Sequence, residues 1–163
     1  LMPTNLYGPG DNYSYHSSHV LPALIRKFDE AKEQKLKIVN CLGSGSPLRE
    51  FLFVDDLADA CMFVLENWFP SKKIKDKDIN WLNVGSGEEI SIKSLATKIA
   101  KMLEYEGEIK WDINKPDGTP RKKLDSTKIN KLGWQSKTIL DIGLKQTIIN
   151  YKLLKSQNKL RIN

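Results

Sequence analysis

With 163 residues, of which 40% are hydrophobic and 28% charged, the chain is long enough for one domain with a real core and has the balance of a soluble globular protein. No apolar run approaches the ~20 residues that a membrane helix needs, and the opening Leu1-Met2-Pro3-Thr4-Asn5 is not a signal peptide, having no basic start followed by an apolar stretch. The net charge of +6 suits an anionic partner, whether nucleic acid, a membrane surface or a diphosphate, but the lysines are dispersed as on an ordinary solvated face.

Leu1 to Leu6 reads as the end of a strand running into the breaker-dense loop Tyr7-Gly8-Pro9-Gly10-Asp11-Asn12. The chain thus opens inside an extended segment without a methionine start, which suggests a piece of a longer protein. A helix is predicted from about Ser18, with Val20, Leu21, Leu24, Ile25 and Phe28 at helical spacing and Pro22 tolerated in its first turn. Lys37 to Leu42 and Arg49 to Val54 read as strands separated by Gly43-Ser44-Gly45-Ser46-Pro47. Asp55 is the expected cap of a helix whose apolar face is Leu57, Ala60, Cys61, Val64, Leu65 and Trp68. The lysine-rich stretch Pro70 to Asp78 is expected as a surface loop.

Trp81 to Val84 reads as a buried strand closed by Gly85-Ser86-Gly87, and Ser91 as the cap of a helix from Ile92 to Leu103. Glu108 to Trp111 is a further short strand. The following Lys115-Pro116-Asp117-Gly118-Thr119-Pro120-Arg121-Lys122 is expected to be all loop, given its prolines and glycine. Asp125 or Ser126 would cap a short helix ended by Gly133, and Thr138 would cap a last helix with Leu140, Leu144, Ile148 and Tyr151 in one stripe. Beyond about Ser156 the polar tail is expected to fray. Cys41 and Cys61 lie in apolar contexts with no CxxC spacing and no nearby His, so both are expected as reduced core thiols of a cytoplasmic protein, with no metal site.

Short strands alternating with helices define an α/β chain. It carries no Gly-rich strand–turn–helix fingerprint for a dinucleotide pyrophosphate, and the turns at Gly43 and Gly85 are too short to be one. Any dinucleotide would have its main cradle outside these residues.

Three stretches, Pro3-Thr4-Asn5-Leu6-Tyr7-Gly8-Pro9, Arg49-Glu50-Phe51-Leu52 leading into Val54-Asp55-Asp56-Leu57-Ala58, and Asn83-Val84-Gly85-Ser86-Gly87, occur in that order. Together they resemble the extended short-chain dehydrogenase/reductase family of nucleotide-sugar epimerases, dehydratases and reductases. Gly8 to Tyr13 followed by Ser18-His19-Val20-Leu21-Pro22-Ala23-Leu24, and the segment Lys115 to Lys122, resemble its GDP-fucose synthase branch. The resemblance runs from Leu1 to about Leu154. It implies the C-terminal substrate-binding portion of a Rossmann-type enzyme, at residues 1–156, with the last edge of the dinucleotide half at 1–12 and a polar tail at 157–163. It implies an NADP(H)-dependent 3,5-epimerase/4-reductase acting on a GDP-sugar and dimeric when complete. The family's Gly-rich turn, its reductase Ser, Tyr and Lys, and the Cys that pairs with its acid/base His all lie in a preceding half.

Carried over residue by residue, Pro3, Thr4, Asn5 and Leu6 match the stretch that lines the nicotinamide end of the cofactor; an ordinary strand-to-loop turn is the alternative. His19 matches the acid/base histidine, which also borders the cofactor. Imidazole titrates near neutral pH and so can give or take a proton. Lys27 matches a cation that contacts the GDP-sugar, with Arg26 beside it and a plain solvated lysine as the alternative. Arg49 offers a bidentate fork to a diphosphate, unless Asp55 or Glu50 pairs with it. Asp117 could accept hydrogen bonds from guanine or from ribose, and Arg121 could add charge to the same diphosphate. Leu42 stands where the family has a tryptophan; leucine keeps an apolar wall but loses a π-face worth about 1 kcal/mol. Two other readings compete: another extended nucleotide-sugar epimerase or dehydratase, and a basic RNA-binding module. The latter calls for aromatics interleaved in a basic patch, whereas here they are scattered over apolar faces, so neither nucleic acid nor membrane is expected as a partner.

Overall fold

The computed structural model describes residues 1–69 and 80–162, so the lysine-rich stretch Pro70 to Asp78 lies outside the described residues. Its first strand, β1 (Met2–Pro3), breaks at Thr4, and β2 (Asn5–Tyr7) resumes with a different partner. After the breaker loop come α1 (Val20–Glu33), β3 (Ile38–Leu42), β4 (Leu48–Phe53) and α2 (Val54–Asn67). The rest is β5 (Asn83–Val84), β6 (Glu89–Ser91), α3 (Ile92–Met102), β7 (Glu108–Asp112), β8 (Arg121–Lys122), α4 (Thr127–Lys131) and α5 (Leu140–Ser156).

β4 is the hub. It pairs in parallel with β2 and β8 and antiparallel with β6. β1 pairs in parallel with β5, and β3 with β7. Strand alternation then divides the interior. Phe51 and Phe53 of β4 enter a core with Tyr7, Ile25, Phe28, Leu95, Ile99, Leu144 and Tyr151, built from α1, α3 and α5. Leu52, on the opposite face, joins Ala60, Leu82, Val84, Ile129 and Trp134 under α2 and α4. Arg49 therefore shares the parity of Phe51, and Glu50 that of Leu52.

Several local expectations are corrected. Helix α2 starts two residues early, with Phe53 at its N-cap and no side-chain cap, so Asp55 does not cap it. Asp56 does more: buried, it accepts the Lys137 and Thr138 backbone N–H groups at 3.1 and 2.9 Å and the Thr138 hydroxyl at 2.9 Å. Thr138 is thereby drawn away from capping α5, whose N-cap is Ile139, because a charged acceptor makes the stronger bond. The predicted apolar face of α2 is only partly used. Ala60 is buried, but Cys61 is exposed and Leu65 is 76% exposed, since one helix meets its neighbours along a single stripe. Of the two thiols only Cys41 is a core residue, and burial pushes its pKa up. Arg121–Lys122, expected as loop, forms β8. The end of the chain turns back after α5: Leu160 packs on the first core and the Arg161 carbonyl accepts the Tyr13 N–H at 2.9 Å, where fraying was expected. The predicted Ser91 cap is present, its hydroxyl accepting the Ser94 N–H.

Candidate functional site

Beyond the end of β3 the chain must turn sharply to enter β4, and Gly43 and Gly45 both take left-handed conformations there, with φ of 77° and 73°. Neither position has room for a side chain. A Cβ on Gly43 would run into the Asp117 carboxylate, and one on Gly45 would sit 2.7 Å from the Trp111 indole. The turn is thus bare so that Asp117 can lie against Gly43 and the Trp111 indole against Gly45. Asp117 makes the joint: its oxygens accept the Ser44 N–H at 2.8 Å and the Ser44 hydroxyl at 2.6 Å. These bonds from Ser44, with help from the Gly45 N–H, hold the carboxyl below its ordinary value of 3.8. A group lowered in this way contributes fully above its unfolded pKa and loses the contribution as pH falls through the lower, folded value. Protection of the Ser44 amide, its exchange measured against the intrinsic rate at the same pH, is therefore expected to fall as pH drops below the ordinary carboxyl value, and Asp117→Ala should show the lowered protection already at neutral pH.

Together the turn and the loop enclose a cleft of about 200 Å³ whose walls include Val20, Leu42, Arg49, Pro116, Asp117 and Gly118. Arg49 is the one cation of that wall. Its Nη1 donates to the carbonyls of Leu48 at 2.7 Å and Thr119 at 2.6 Å, which fixes the guanidinium against the loop. Nη2 lies against Gly118, where a Cβ would be only 3.0 Å away. Neither expected competitor pairs with it. Glu50 points to the other face of β4, Asp55 is exposed on α2, and among the described residues no carboxylate lies within ion-pair range of Arg49.

The remaining predicted residues are arranged less uniformly. Leu42 is 66% exposed and lines the cleft as a bare apolar wall. His19 is the exposed N-cap residue of α1, immediately before Val20 of the cleft wall, and its imidazole makes no cap bond. The half-buried Asp11 lies close enough for the charge of His19 to offset part of the rise that burial imposes on its pKa. Between Arg26 and Lys27 the packing decides. Arg26 is buried, donates to the Tyr13 carbonyl at 2.5 Å and stacks 3.7 Å over Tyr15. Lys27 remains exposed and reaches β3, donating to the Asn40 carbonyl at 2.8 Å. Arg121 spends its fork on Glu89, at 2.8 and 2.6 Å.

Register explains that last pairing. Leu48 lies opposite Arg121, and Arg49 opposite Lys122. Residues paired across neighbouring strands project to the same face, so Lys122, not Arg121, shares the side of Arg49. Lys122 was not singled out from sequence, because nothing signalled that this loop pairs with β4.

A second edge lies at the break between β1 and β2. The Thr4 N–H donates to the Val84 carbonyl at 3.0 Å, whereas the Thr4 hydroxyl and the Asn5 amide donate to the Glu50 carbonyl at 3.3 and 2.8 Å. The chain thus leaves β5 and joins β4 within one residue. Crevices at such divergences, at the C-terminal ends of parallel strands, are where open α/β sheets take their ligands. Pro3 is exposed there and Leu6 half-buried. A further cleft of about 430 Å³, between β6 and the start of α5, contains none of the predicted site residues. Among the described residues there is no group of His, Cys, Asp and Glu able to hold a metal ion, and no helix long and apolar enough to cross a membrane.

The parallel pairing of β1 with β5, the hub strand β4 and the cleft beside it define the C-terminal, substrate-binding portion of an extended Rossmann-type fold. The profile of the NAD dependent epimerase/dehydratase family matches residues 1–80. The chain is 51% identical to "GDP-L-fucose synthase 1" of Arabidopsis thaliana over 90% of its own length and 43% of that protein's. In solved structures it resembles a GDP-6-OMe-4-keto-L-xylo-heptose reductase from C. jejuni, with a TM-score of 0.81 and 31% identity over 96% of this chain and 53% of that one. It also resembles a GDP-L-fucose synthetase from Naegleria fowleri bound to NADP, with a TM-score of 0.81 and 26% identity over 99% of this chain and 48% of that one. The chain belongs to the extended short-chain dehydrogenase/reductase, or NAD-dependent epimerase/dehydratase, family, and it spans less than half the length of the curated GDP-L-fucose synthases it matches.

Proposed function

We propose that this chain is the substrate-binding half of an NADPH-dependent enzyme that converts GDP-4-keto-6-deoxy-D-mannose to GDP-L-fucose by 3,5-epimerisation and 4-reduction. The observation that carries the reading is Arg49: a cation with no carboxylate partner among the described residues, held by two carbonyls in a cleft beside a glycine turn. A guanidinium fixed in this way is preorganised for a diphosphate, because its orientation is settled before the ligand arrives. Lys122 on the same side and Lys27 across β3 add positive charge. Leu42 offers an apolar wall to the base, and the exposed Asp117 keeps spare lone pairs for guanine or ribose donors, since each of its oxygens accepts only one bond from Ser44. Arg121 contributes charge at longer range, its fork being engaged by Glu89. The names of the relatives support the GDP portion in particular, since synthase and heptose reductase alike act by their titles on GDP-linked sugars.

The cofactor fits the residues present. Thr4 and Asn5 have both side chains committed to Glu50, and the Thr4 N–H is taken by Val84, so it is backbone carbonyls around Pro3 and Thr4, with Leu6 behind them, that would hold the nicotinamide end. NADPH, when bound, supplies the hydride for the C4 ketone. The same ketone acidifies the hydrogens at C3 and C5; a base that the resemblance places in a preceding half would take the proton from one face, and His19, exposed at the rim beside Val20, serves as the acid that delivers a proton to the other. The complete protein is proposed to be a homodimer.

The reading separates binding from turnover. The 163-residue chain alone is expected to bind GDP in calorimetric titration but to oxidise no NADPH in the presence of GDP-4-keto-6-deoxy-D-mannose, because the Ser, Tyr and Lys that the resemblance assigns to hydride transfer have no counterpart among these 163 residues. Turnover by the purified chain would sink this division of labour, and failure to bind GDP would sink the site.

A further inference from the structure

Glu50 is fully buried, and among the described residues no lysine or arginine pairs with it. A carboxylate in such a place is retained only if hydrogen bonds replace its lost water. Here Oε1 accepts the Gly87 N–H at 2.8 Å, and Oε2 accepts the Leu124 N–H at 3.0 Å. The approach is so close that a Cβ on Gly85 would collide with the carboxylate, which is why β5 must be followed by a residue without a side chain. Through its own carbonyl the same residue receives Thr4 and Asn5. One residue thus touches three segments far apart in sequence: the β1–β2 break, the turn after β5, and the strand end just beyond Lys122. Its chain neighbour on the opposite face of β4 is Arg49.

We propose that Glu50 is a positioning residue that locks the nicotinamide-facing edge and the sugar-nucleotide loop into one frame, so that cofactor and GDP-sugar are held at a set distance and orientation. The proposal rests on the functional reading above and adds to it a residue that touches neither ligand. The two N–H bonds set the height of the turn at Gly87 and of the segment leading from β8. The carbonyl sets where Thr4 stands relative to β4. Loss of the carboxylate leaves the part-buried Gly87 and Leu124 N–H groups without their acceptor; the bonds from Thr4 and Asn5 go to the main-chain carbonyl and persist, so the nicotinamide-facing edge is loosened through the turn after β5, whose Val84 carbonyl accepts the Thr4 N–H.

The test uses the full-length protein, with GDP and NADP+ as separate probes in calorimetric titration. Glu50→Gln places an amide nitrogen opposite one of the two N–H donors, so the Kd for GDP and the Kd for NADP+ are both expected to rise about tenfold, the effect of losing one hydrogen bond to a charged group. Amide exchange at Gly87 and Leu124 is expected to accelerate in the same variant. Ile99→Val, a buried change in the other core, serves as the control that lowers thermal stability without altering either Kd. If Glu50→Gln does not fold, Gly85→Ala displaces the carboxylate from the other side and should weaken the same two ligands. Wild-type affinities for both ligands in whichever variant folds, or weakening no greater than in the Ile99→Val control, would overturn the proposal. If the wild-type protein itself binds no GDP, the functional reading fails instead, and the frame is then judged by the NADP+ titration and the exchange rates alone.

Discussion

Full-length protein carrying His19→Gln is expected to lose solvent-deuterium incorporation at C3 and C5 of the ketosugar by about 10²- to 10⁴-fold, the range over which a positioned acid or base contributes. Glutamine fills nearly the same volume and can still hydrogen-bond, but it cannot release a proton near neutral pH. Little stability should be lost, because the imidazole is exposed and makes no cap bond to α1, whose Ala23 N–H is already taken by the His19 backbone carbonyl. The measurement is mass-spectrometric deuterium uptake without NADPH, which isolates proton transfer from reduction. Exchange at the wild-type rate would remove His19 from the chemistry while leaving the binding site untouched.

Arg49→Ala is expected to weaken GDP binding by about 2–3 kcal/mol, roughly 30- to 150-fold, as for removal of a charge-assisted fork from a partly enclosed site. Arg49→Lys should recover only a minor part. An ammonium can supply the charge, but it cannot span the Leu48 and Thr119 carbonyls and still present a second nitrogen to a phosphate. The pattern that supports the site is a large affinity loss with GDP and a small one with guanosine, which has no phosphate for the fork. Equal losses for both would mean that Arg49 acts only by shaping the loop through Thr119.

The α/β class, the order of the elements and the ends of most helices were legible from local signals. Ser91 caps α3 because its hydroxyl needs only the N–H three residues on, a contact within one turn. The stripe of Leu144, Ile148 and Tyr151 on α5 is equally local in origin. Asp55 and Thr138 misled for the opposite reason. Both look like caps within their own segments, yet Asp56 and Thr138 are 82 positions apart and find each other, and that bond outcompetes capping. β8 escaped notice because its two residues have no strand pattern; they are extended only because β4 supplies the partner. The exposed stripe of α2 shows the same limit, since an apolar arc does not reveal how much of itself a neighbour covers.

What the chain's residues determined alone were the turns and the chemistry on offer: glycines at 43, 45 and 85, a guanidinium at 49, an imidazole at 19, and the motifs that resemble one family. These depend on residue type and on spacing along a few positions, and such information is carried by any stretch read in isolation. Only the tertiary structure decided which cations are free and which are spent. Arg121 goes to Glu89, Arg26 stacks on Tyr15, and Arg49 has no counterion among the described residues. It also decided that Glu50 joins three distant segments. Such outcomes follow from register and from strand parity, where a shift of one residue sends a side chain to the other face, and register is set by pairing with strands that lie dozens of residues away.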